Sequence, residues 1–222
     1  MVRLMRVFVS WSGGKDSCLA LYRAIKEGFA ISFLFSMLDK EGLRSASHGL
    51  TREVLEVQAE ALGRQILFGR SCMKGYEREF KRIIGEQKNQ GIDGGVFGDI
   101  NLREHREWIE RVCGELGINA FFPLWDSNYD DLLNDFLGLG FEATVVSGKI
   151  DLIREEWIGK PFDSTFIQYL KAEGLDLLGE KGEFHTLVTN GPIFKHSLKV
   201  SKFRKKTEGE LWIPEQLKVQ QM

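Results

Sequence analysis

A glycine-rich segment near the start of the chain has the composition of a phosphate-binding loop. It lies between a short apolar run, Met5–Trp11, and a stretch with helical spacing. Its two glycines allow the backbone to turn tightly and to approach a ligand closely. The N–H groups at a helix N-terminus attract anions, and a lysine adds a positive charge. These residue types in this order predict a polyphosphate site made by Ser12, Gly13, Gly14, Lys15, Asp16 and Ser17.

The loop differs from two common nucleotide-binding motifs. A Walker A loop requires serine or threonine directly after its lysine, whereas Asp16 follows Lys15 here. Val9 stands where that motif needs its first glycine. The GxGxxG pattern of dinucleotide-binding folds does not occur in the loop either. The segment therefore indicates a phosphate loop of another class.

Residues 1–125 alternate between short apolar runs and stretches with helical periodicity, which is the pattern of βαβ units. The apolar runs are continuous, as expected for parallel strands that are buried on both faces. Such sheets bind ligands beyond the carboxyl ends of their strands. We predict an ATP-binding α/β domain over 1–125, with a Rossmann-like sheet of five parallel strands in Met5–Trp11, Ala30–Leu38, Gln65–Phe68, Gly94–Gly98 and Ala120–Leu124.

The pattern changes after Trp125, and residues 126–222 predict a smaller α+β domain that would bind the substrate. A basic segment in this region, Lys195–Lys206, fits a solvated strand edge, and also the docking of an acidic protein face or of RNA. The predicted helices are Asp126–Asp135 and Ser164–Ala172, and the predicted strands are Glu142–Ser147, Thr186–Thr189, Ser197–Lys202 and Leu211–Ile213.

Charge and cysteine content exclude several classes of function. Lys+Arg 30 against Asp+Glu 32 gives a net charge of −2, which argues against a protein that coats nucleic acid. Cys18, Cys72 and Cys113 are scattered, which fits a reducing cytoplasm better than a disulfide framework or a zinc site. The longest strongly apolar run, Ala30–Leu38, is far shorter than the ~20 residues that span a bilayer, so no membrane partner is expected. No signal peptide is recognisable, and we expect a cytoplasmic location.

The loop, directly after a first strand, resembles the PP-loop of the N-type ATP pyrophosphatases. This resemblance implies an adenine nucleotide alpha hydrolase-like sheet, and cleavage of ATP between its α and β phosphates. In that family a carbonyl or carboxylate oxygen is adenylated, and a nitrogen or sulfur nucleophile then displaces AMP. The chain lacks the cysteine pair of the thiolases. The ~95 residues after the sheet are too few for a glutaminase domain in addition to a substrate region.

A second stretch resembles the GE-x-GE-F/Y-H-T motif of the diphthine–ammonia ligase family. It reads Gly179-Glu180-Lys181-Gly182-Glu183-Phe184-His185-Thr186, with Lys181 where the family often has glycine. The resemblance implies that ATP, ammonium and the diphthine side chain of elongation factor 2 give diphthamide, AMP and pyrophosphate. It spans about Arg6 to Phe194 and includes Val96–Ile100, Pro123–Trp125, Trp157–Lys160 and Asn190–Phe194.

The resemblance also implies roles for single residues. Lys15 would stabilise the charge that grows on pyrophosphate. Mg²⁺ takes hard oxygen ligands, and Asp16 or Asp99 would hold it. The six loop residues would bind ATP together with His48, Gly98 and Asp99.

A second group of residues would serve the amide-forming half of the reaction. Two carboxylates and an imidazole could orient ammonium, take its proton or contact the substrate's cationic group. The residues in this catalytic group are Glu180, Glu183 and His185. Those that would bind the substrate are Ser147, Gly148 and Thr186. A helix cap at Asp99 and a polar turn at 180–185 are the structural alternatives.

Other functions stay open at this point. A tRNA-modifying PP-loop enzyme, either a thiolase or a lysidine-type ligase, would suit the basic segment. A non-catalytic module that binds an adenine nucleotide would use the same sheet. Formation of AMP and pyrophosphate rather than ADP distinguishes the enzymes from that module. The sequence is compatible with a homodimer and does not determine the oligomeric state.

Overall fold

A computed structural model describes residues 3–45 and 48–222 of the chain. Nine strands and six helices lie in these two ranges, together with two short 3-10 turns. In chain order they are β1 (Arg6–Ser10), α1 (Lys15–Lys26), β2 (Ala30–Leu38), α2 (Arg52–Ala61), β3 (Ile66–Arg70), α3 (Tyr76–Asn89), β4 (Gly94–Val96), α4 (Arg103–Leu116), β5 (Asn119–Phe121), α5 (Tyr129–Gly138), β6 (Glu142–Lys149), α6 (Ser164–Ala172), β7 (Phe184–Asn190), β8 (Leu198–Glu208) and β9 (Leu211–Gln221).

The chain forms two compact units, each with its own sheet. The first contains the described residues of 3–12, 16–45 and 64–126, and the second contains 13–15, 48–63 and 127–222. The central residues of the loop, 13–15, therefore group with the second unit, and Ser12 and Asp16 group with the first. Within the described residues, no helix is both long and apolar enough to cross a membrane.

The first unit contains the predicted five-stranded parallel sheet, in the order β3-β2-β1-β4-β5. Its core is aromatic, because the Phe8 ring lies 5.7 Å from Phe33 and 5.8 Å from Phe97, centroid to centroid. The strand order reverses between β1 and β4, and ligands bind at such a switch point in α/β sheets. The loop follows β1, and Gly98 and Asp99 follow β4.

The second unit contains an antiparallel sheet in the order β7-β6-β9-β8. Its three helices begin at capping side chains that accept backbone N–H bonds, which are Thr51 for α2, Asn128 for α5 and Asp163 for α6. The fold class is thus as the sequence predicts, with α/β and α+β parts.

Most boundaries differ from the sequence prediction by one to three residues, and the differences in β8, β9 and the start of α5 have identifiable physical reasons. The strands predicted at Ser197–Lys202 and Leu211–Ile213 are eleven residues each, Leu198–Glu208 and Leu211–Gln221. Their additional residues are mostly charged or polar, so hydrophobic patterning does not indicate them. The helix predicted to begin at Asp126 begins at Tyr129, because Asn128 supplies the cap and Asp126 has a left-handed φ of 57°.

Candidate active site

The glycines of the loop are held by residues of the second unit. Gly13 has a φ of +82°, and its carbonyl accepts bonds from Val188 N at 3.0 Å and from Gln58 Nε2 at 2.9 Å. A side chain on Gly14 would place its Cβ 2.7 Å from His48 Nε2 and 3.1 Å from the Thr186 carbonyl. Glycine is therefore required at both positions, by backbone conformation at Gly13 and by close packing at Gly14.

Lys15 is buried against the GE-x-GEFHT stretch, although the two motifs are far apart in sequence. Only 5% of the residue is exposed, and its backbone N–H donates to Thr186 Oγ1 at 3.1 Å. Its ammonium group donates to the Leu178 carbonyl and lies 5.4 Å from the centroid of the Phe184 ring. A buried cation requires such partners. The stretch therefore fixes where the loop lysine lies.

The turn that carries Glu180 and Glu183 is internally bonded. The Asp176 carboxylate accepts from Leu178 N at 2.8 Å and from Gly179 N at 3.1 Å. Gly179 and Gly182 supply left-handed φ angles of 69° and 73°. Among the described residues, Asp126 is the only non-glycine with a positive φ, so Lys181 is accommodated without backbone strain.

The carboxylates of this turn are largely withdrawn from solvent. Glu183 is 8% exposed, and its Oε2 accepts from Lys181 N at 3.0 Å. Oε2 of Glu180 is also buried. Lys149 Nζ donates to the Lys181 carbonyl at 3.0 Å, and Lys149 N donates to the Glu183 carbonyl at 2.9 Å. This turn is thus bonded to the end of β6.

Strand register brings three of the predicted substrate-binding residues next to the turn. Ser147 of β6 lies opposite His185 of β7, and Gly148 lies opposite Phe184. Thr186 follows on β7 and, as above, accepts the Lys15 N–H. A Cβ on Gly148 would lie 2.9 Å from Ile153 Cβ, so this glycine is also explained by packing alone.

Two histidines face each other beside Lys15. The ring centroids of His48 and His185 are 4.3 Å apart. Burial, and then the charges of His185 and Lys15, lower the pKa of His48 well below its usual value. Burial, followed by Lys15 and Lys149, lowers the pKa of His185 to about 4. Both rings are therefore neutral at neutral pH, and each can donate or accept a hydrogen bond there without carrying charge.

This lowered pKa predicts an acid-sensitive fold. His185 binds a proton more weakly in the folded chain than in the unfolded chain. Its contribution to the free energy of unfolding is therefore fully present above the pKa of the unfolded chain, near 6.5, and is lost as the pH falls towards the folded pKa of about 4. Between about pH 7 and pH 5 we expect the free energy of unfolding of the wild type to fall by about 1–2 kcal/mol more than that of His185→Gln. Urea unfolding at each pH measures this difference. His196→Gln, which changes an exposed histidine, is the matched control, and equal losses in all three proteins would contradict the assignment.

Gln58 contacts the loop, and the sequence prediction did not include it among the site residues. It is fully buried on α2, and its side-chain amide donates to the carbonyls of Gly13, at 2.9 Å, and Val188, at 2.7 Å. It thereby joins the loop to β7. The sequence does contain an indication that Gln58 is buried. It lies four residues after Val54 and three before Ala61, which places it on the apolar face of the helix.

Removal of this amide is expected to destabilise the second unit. Gln58→Ala deletes two buried hydrogen bonds and leaves a cavity, and we expect a loss of about 2–4 kcal/mol in the free energy of unfolding. Glu56→Ala on the same helix deletes only an exposed pair with Arg52 and should cost less than about 0.5 kcal/mol. Urea unfolding of both variants tests this. Equal stabilities would show that Gln58 does not hold the loop.

The remaining predicted ATP-site residues lie in the first unit. Ser12 Oγ donates to Ser17 Oγ at 3.2 Å. A Cβ on Gly98 would lie 3.0 Å from the backbone carbon of Asp16, so this glycine, two residues after β4, packs against the start of α1. The Asp99 carboxylate is hydrogen-bonded to His105 Nδ1.

The described residues would supply only some of the ligands that a divalent cation needs. The described residues contain no group of three or more His, Cys, Asp or Glu side chains that could hold a metal ion. Mg²⁺ usually takes one or two carboxylates and completes its shell with water and phosphate oxygens. Asp16 and Asp99 in the first unit fit that limited role.

The two buried thiols are poor candidates for sulfur chemistry. Cys18 and Cys113 are buried, and Cys72 is exposed. Burial, and then the charge of Asp16, raises the pKa of Cys18 well above its usual value, and burial raises that of Cys113 to about 12. Neither buried thiol ionises at neutral pH, and the thiolate is the reactive form.

The predicted residues thus fall into two groups. In the second unit, contacts or strand register join Gly13, Gly14, Lys15, His48, Ser147, Gly148, Glu183, His185 and Thr186, and Glu180 shares the turn with Glu183. The residues in the first unit are Ser12, Asp16, Ser17, Gly98 and Asp99.

A central β1 followed by a glycine-rich loop, in a sheet of order β3-β2-β1-β4-β5, defines a Rossmann-like α/β protein. Comparison with known families is more specific. Residues 5–120 match the model of the diphthamide synthase N-terminal domain, and residues 128–218 match that of the diphthamide synthase C-terminal domain. The chain belongs to the diphthamide synthase family.

Two relatives that are both named diphthine–ammonia ligase agree with this assignment. The diphthine–ammonia ligase of Rattus norvegicus is 27% identical over 223 positions, which cover 88% of this chain and 83% of the relative. The Homo sapiens protein of the same name is 26% identical, with 87% and 82% covered. A Methanocaldococcus jannaschii structure, described as a predicted subunit of tRNA methyltransferase, has a TM-score of 0.45 and 20% identity, covering 85% of this chain and 98% of that one.

Proposed function

We propose that the protein is an ATP-dependent ligase that converts the diphthine side chain of elongation factor 2 into diphthamide, with ammonium as the nitrogen source. The observation that carries this proposal is the contact of the loop with the GE-x-GEFHT stretch and its continuation on β7, through Lys15 N to Thr186 Oγ1 and Val188 N to the Gly13 carbonyl. Membership of the diphthamide synthase family supports the substrate.

The proposed reaction has two steps. In the first, a carboxylate oxygen of diphthine attacks the α phosphorus of ATP, the bond between the α phosphorus and the bridging oxygen breaks, and pyrophosphate leaves. In the second, ammonia attacks the acyl carbon, the bond to AMP breaks and the amide forms. The surplus protons of ammonium pass to a base. AMP and pyrophosphate are thus the expected products, rather than ADP.

ATP is assigned to the loop. The N–H groups at the start of α1 and the Lys15 ammonium would meet the β and γ phosphates, with the hydroxyls of Ser12 and Ser17 as further donors. Lys15 would stabilise the negative charge of the departing pyrophosphate. Asp16 and Asp99 would contribute carboxylate ligands to Mg²⁺, which would supply further charge neutralisation at the phosphates.

Ammonium and diphthine are assigned to the second group of residues. Glu180 and Glu183 offer negative charge in a largely buried turn, which suits a small cation and proton transfer from it. With a pKa of about 4, His185 is a weak base and would orient a substrate by hydrogen bonding. Ser147 lies opposite it on β6 and would line the same region.

The functional division of the chain follows from these assignments. We propose that 1–125 supplies ATP binding and 126–222 supplies most contacts to the protein substrate. Because that substrate takes part in translation, the proposed location is the cytoplasm.

One experiment tests the whole proposal. The protein is incubated with diphthine-bearing elongation factor 2, ATP and ammonium, and the mass of the factor is followed. Conversion of the carboxylate to an amide, with equimolar AMP, is the expected result. Unchanged mass together with incorporation of label into tRNA would support a tRNA-modifying enzyme and overturn the proposal. The buried, un-ionised thiols of Cys18 and Cys113 make the thiolase alternative unattractive.

A further inference from the structure

In the half of the β8–β9 hairpin that is distant from its turn, residues 198–204 and 216–221, one face is basic and polar. Directly opposite residues of an antiparallel pair share a face, and so do alternate residues along a strand. In the observed register, Lys202 lies opposite Lys218, Arg204 opposite Gln216 and Lys199 opposite Gln220, with one bulge at Ser201. We define the basic face as Lys199, Lys202, Arg204, Gln216, Lys218 and Gln220.

The other face of the hairpin is apolar and covered. It carries Phe203 opposite Leu217 and Val200 opposite Val219. Leu217 is buried, and the Phe203 ring packs so closely on Gly159 that a Cβ there would lie 2.8 Å from it. The four cations of the basic face are all exposed. This half of the hairpin thus packs through its apolar face and carries exposed cations on the opposite face.

The basic face contains an unfavourable pair of charges. Like charges directly opposite each other on two strands destabilise a hairpin. Among the described residues, no carboxylate lies within 4 Å of the ammonium groups of Lys199, Lys202 or Lys218, and Arg204 has only Glu215, at 3.5 Å. Surface cations of α3 and α4 behave differently, because Lys81, Arg82 and Arg111 each pair with two carboxylates.

Protection of a sheet edge does not explain this arrangement. A single charge on the edge strand is enough to oppose edge-to-edge pairing, and β8 is the edge strand in the order β7-β6-β9-β8. Lys202 or Arg204 would serve that purpose. Within the part of the chain that the structure describes, β9 pairs with β6 only at Leu211 and Trp212, so at Lys218 it also forms an edge. One charge on each strand at non-opposite positions would protect both edges, and it would avoid the cost in stability of Lys218 directly opposite Lys202.

We propose that the basic face is the docking surface for an acidic surface of the protein substrate. This inference rests on the proposed function and names the surface by which the substrate is held. The basic face is about 17 Å long and two strands wide, which suits a cluster of carboxylates on a folded protein. RNA is disfavoured because the face contains no aromatic side chain on which a base could stack, and the net charge of the chain is −2.

Charge reversal tests the proposal. The double variant Lys202→Glu/Lys218→Glu keeps a like-charge pair but reverses its sign. Binding is measured to immobilised, diphthine-bearing elongation factor 2 without ATP. We expect the double variant to bind about tenfold more weakly than wild type at low salt. The difference should shrink at about 0.5 M salt, while the Kd for ATP stays unchanged. Lys40→Glu/Lys171→Glu carries the same change of charge on exposed lysines elsewhere and is the matched control.

The single variant Lys202→Glu distinguishes an effect on docking of the protein substrate from an effect on the stability of the fold. It places a carboxylate opposite Lys218, so we expect its Tm to rise while its affinity for elongation factor 2 falls. A purely structural role for the lysines would not give opposite signs.

Each result of these measurements has a defined meaning. Wild-type binding and an unchanged salt dependence in the double variant would overturn the docking proposal even if the factor is amidated. Charge-dependent binding without amidation would leave docking supported and overturn the proposed function. Charge-dependent binding of tRNA, with none of elongation factor 2, would overturn both.

Discussion

Replacement of Lys15 by alanine is expected to lower the rate of isotope exchange between ATP and pyrophosphate by about 10²–10³-fold, measured with the protein substrate present. Lys15 is the first residue of α1 and the one cation of the proposed phosphate loop. It would stabilise negative charge at the moment pyrophosphate separates. In a buried position such stabilisation is stronger than in water, because the local dielectric is low.

The same side chain also bonds to the Leu178 carbonyl, so loss of activity must be separated from loss of structure. Lys15→Met keeps most of the aliphatic stem over the Phe184 ring and removes the ammonium group, with its charge and its bond to the Leu178 carbonyl. We expect it to lack exchange activity with a Tm close to that of wild type. Lys26→Ala changes an exposed lysine in the last turn of the same helix and should leave exchange intact. Normal exchange in folded Lys15→Met would remove Lys15 from the mechanism.

Replacement of Glu183 by glutamine is expected to separate the two proposed steps. Amide formation should fall by at least about 10²-fold, the contribution of a well-placed acid–base group, while ATP–pyrophosphate exchange changes by less than about twofold. The isosteric amide keeps an oxygen that can accept the Lys181 N–H, so the turn should hold. The charge that would attract ammonium and take its proton is lost.

Two further variants define what a loss at Glu183 means. Glu180→Gln shows whether the second carboxylate of the turn shares the task, through the KM for ammonium and kcat measured separately. Glu173→Gln removes an exposed carboxylate at the end of α6 that pairs with Arg154, and it should behave as wild type. If Glu183→Gln forms amide at the wild-type rate, the assigned role is wrong. A parallel fall in exchange and Tm would indicate a structural role.

The sheet of the first unit was predictable because its strands are encoded locally. Each is a short run of apolar residues followed by a helical stretch, and burial on both faces requires that run to be continuous. β8 and β9 are different. Lys202, Arg204 and Lys218 give these strands a polar outer side, and Pro214 suggests an interruption. The length of β8 and β9 depends on their pairing with each other across a turn at Gly209. Local hydrophobicity does not predict such pairing.

The site shows the same contrast. Glycines and a lysine in the loop indicate phosphate binding from chemistry alone. The role of Gln58 depends on β7, which comes some 130 positions later and supplies the Val188 carbonyl. A glutamine on a helix is ordinarily a surface residue. Only the apolar neighbours of Gln58 on α2 distinguish it from a surface glutamine. The sequence of α2 does not predict which backbone carbonyl accepts its hydrogen bond.

The bond between the Gly13 carbonyl and Val188 N has a consequence for modularity. A fragment that ends at residue 125 would contain every residue of the loop and the whole parallel sheet. It would lack β7, to which the middle of the loop is bonded through Gly13 and Lys15. The proposed nucleotide site of this chain therefore depends on residues outside 1–125. Transplanting residues 1–125 into another protein would require an equivalent of β7 from the new host.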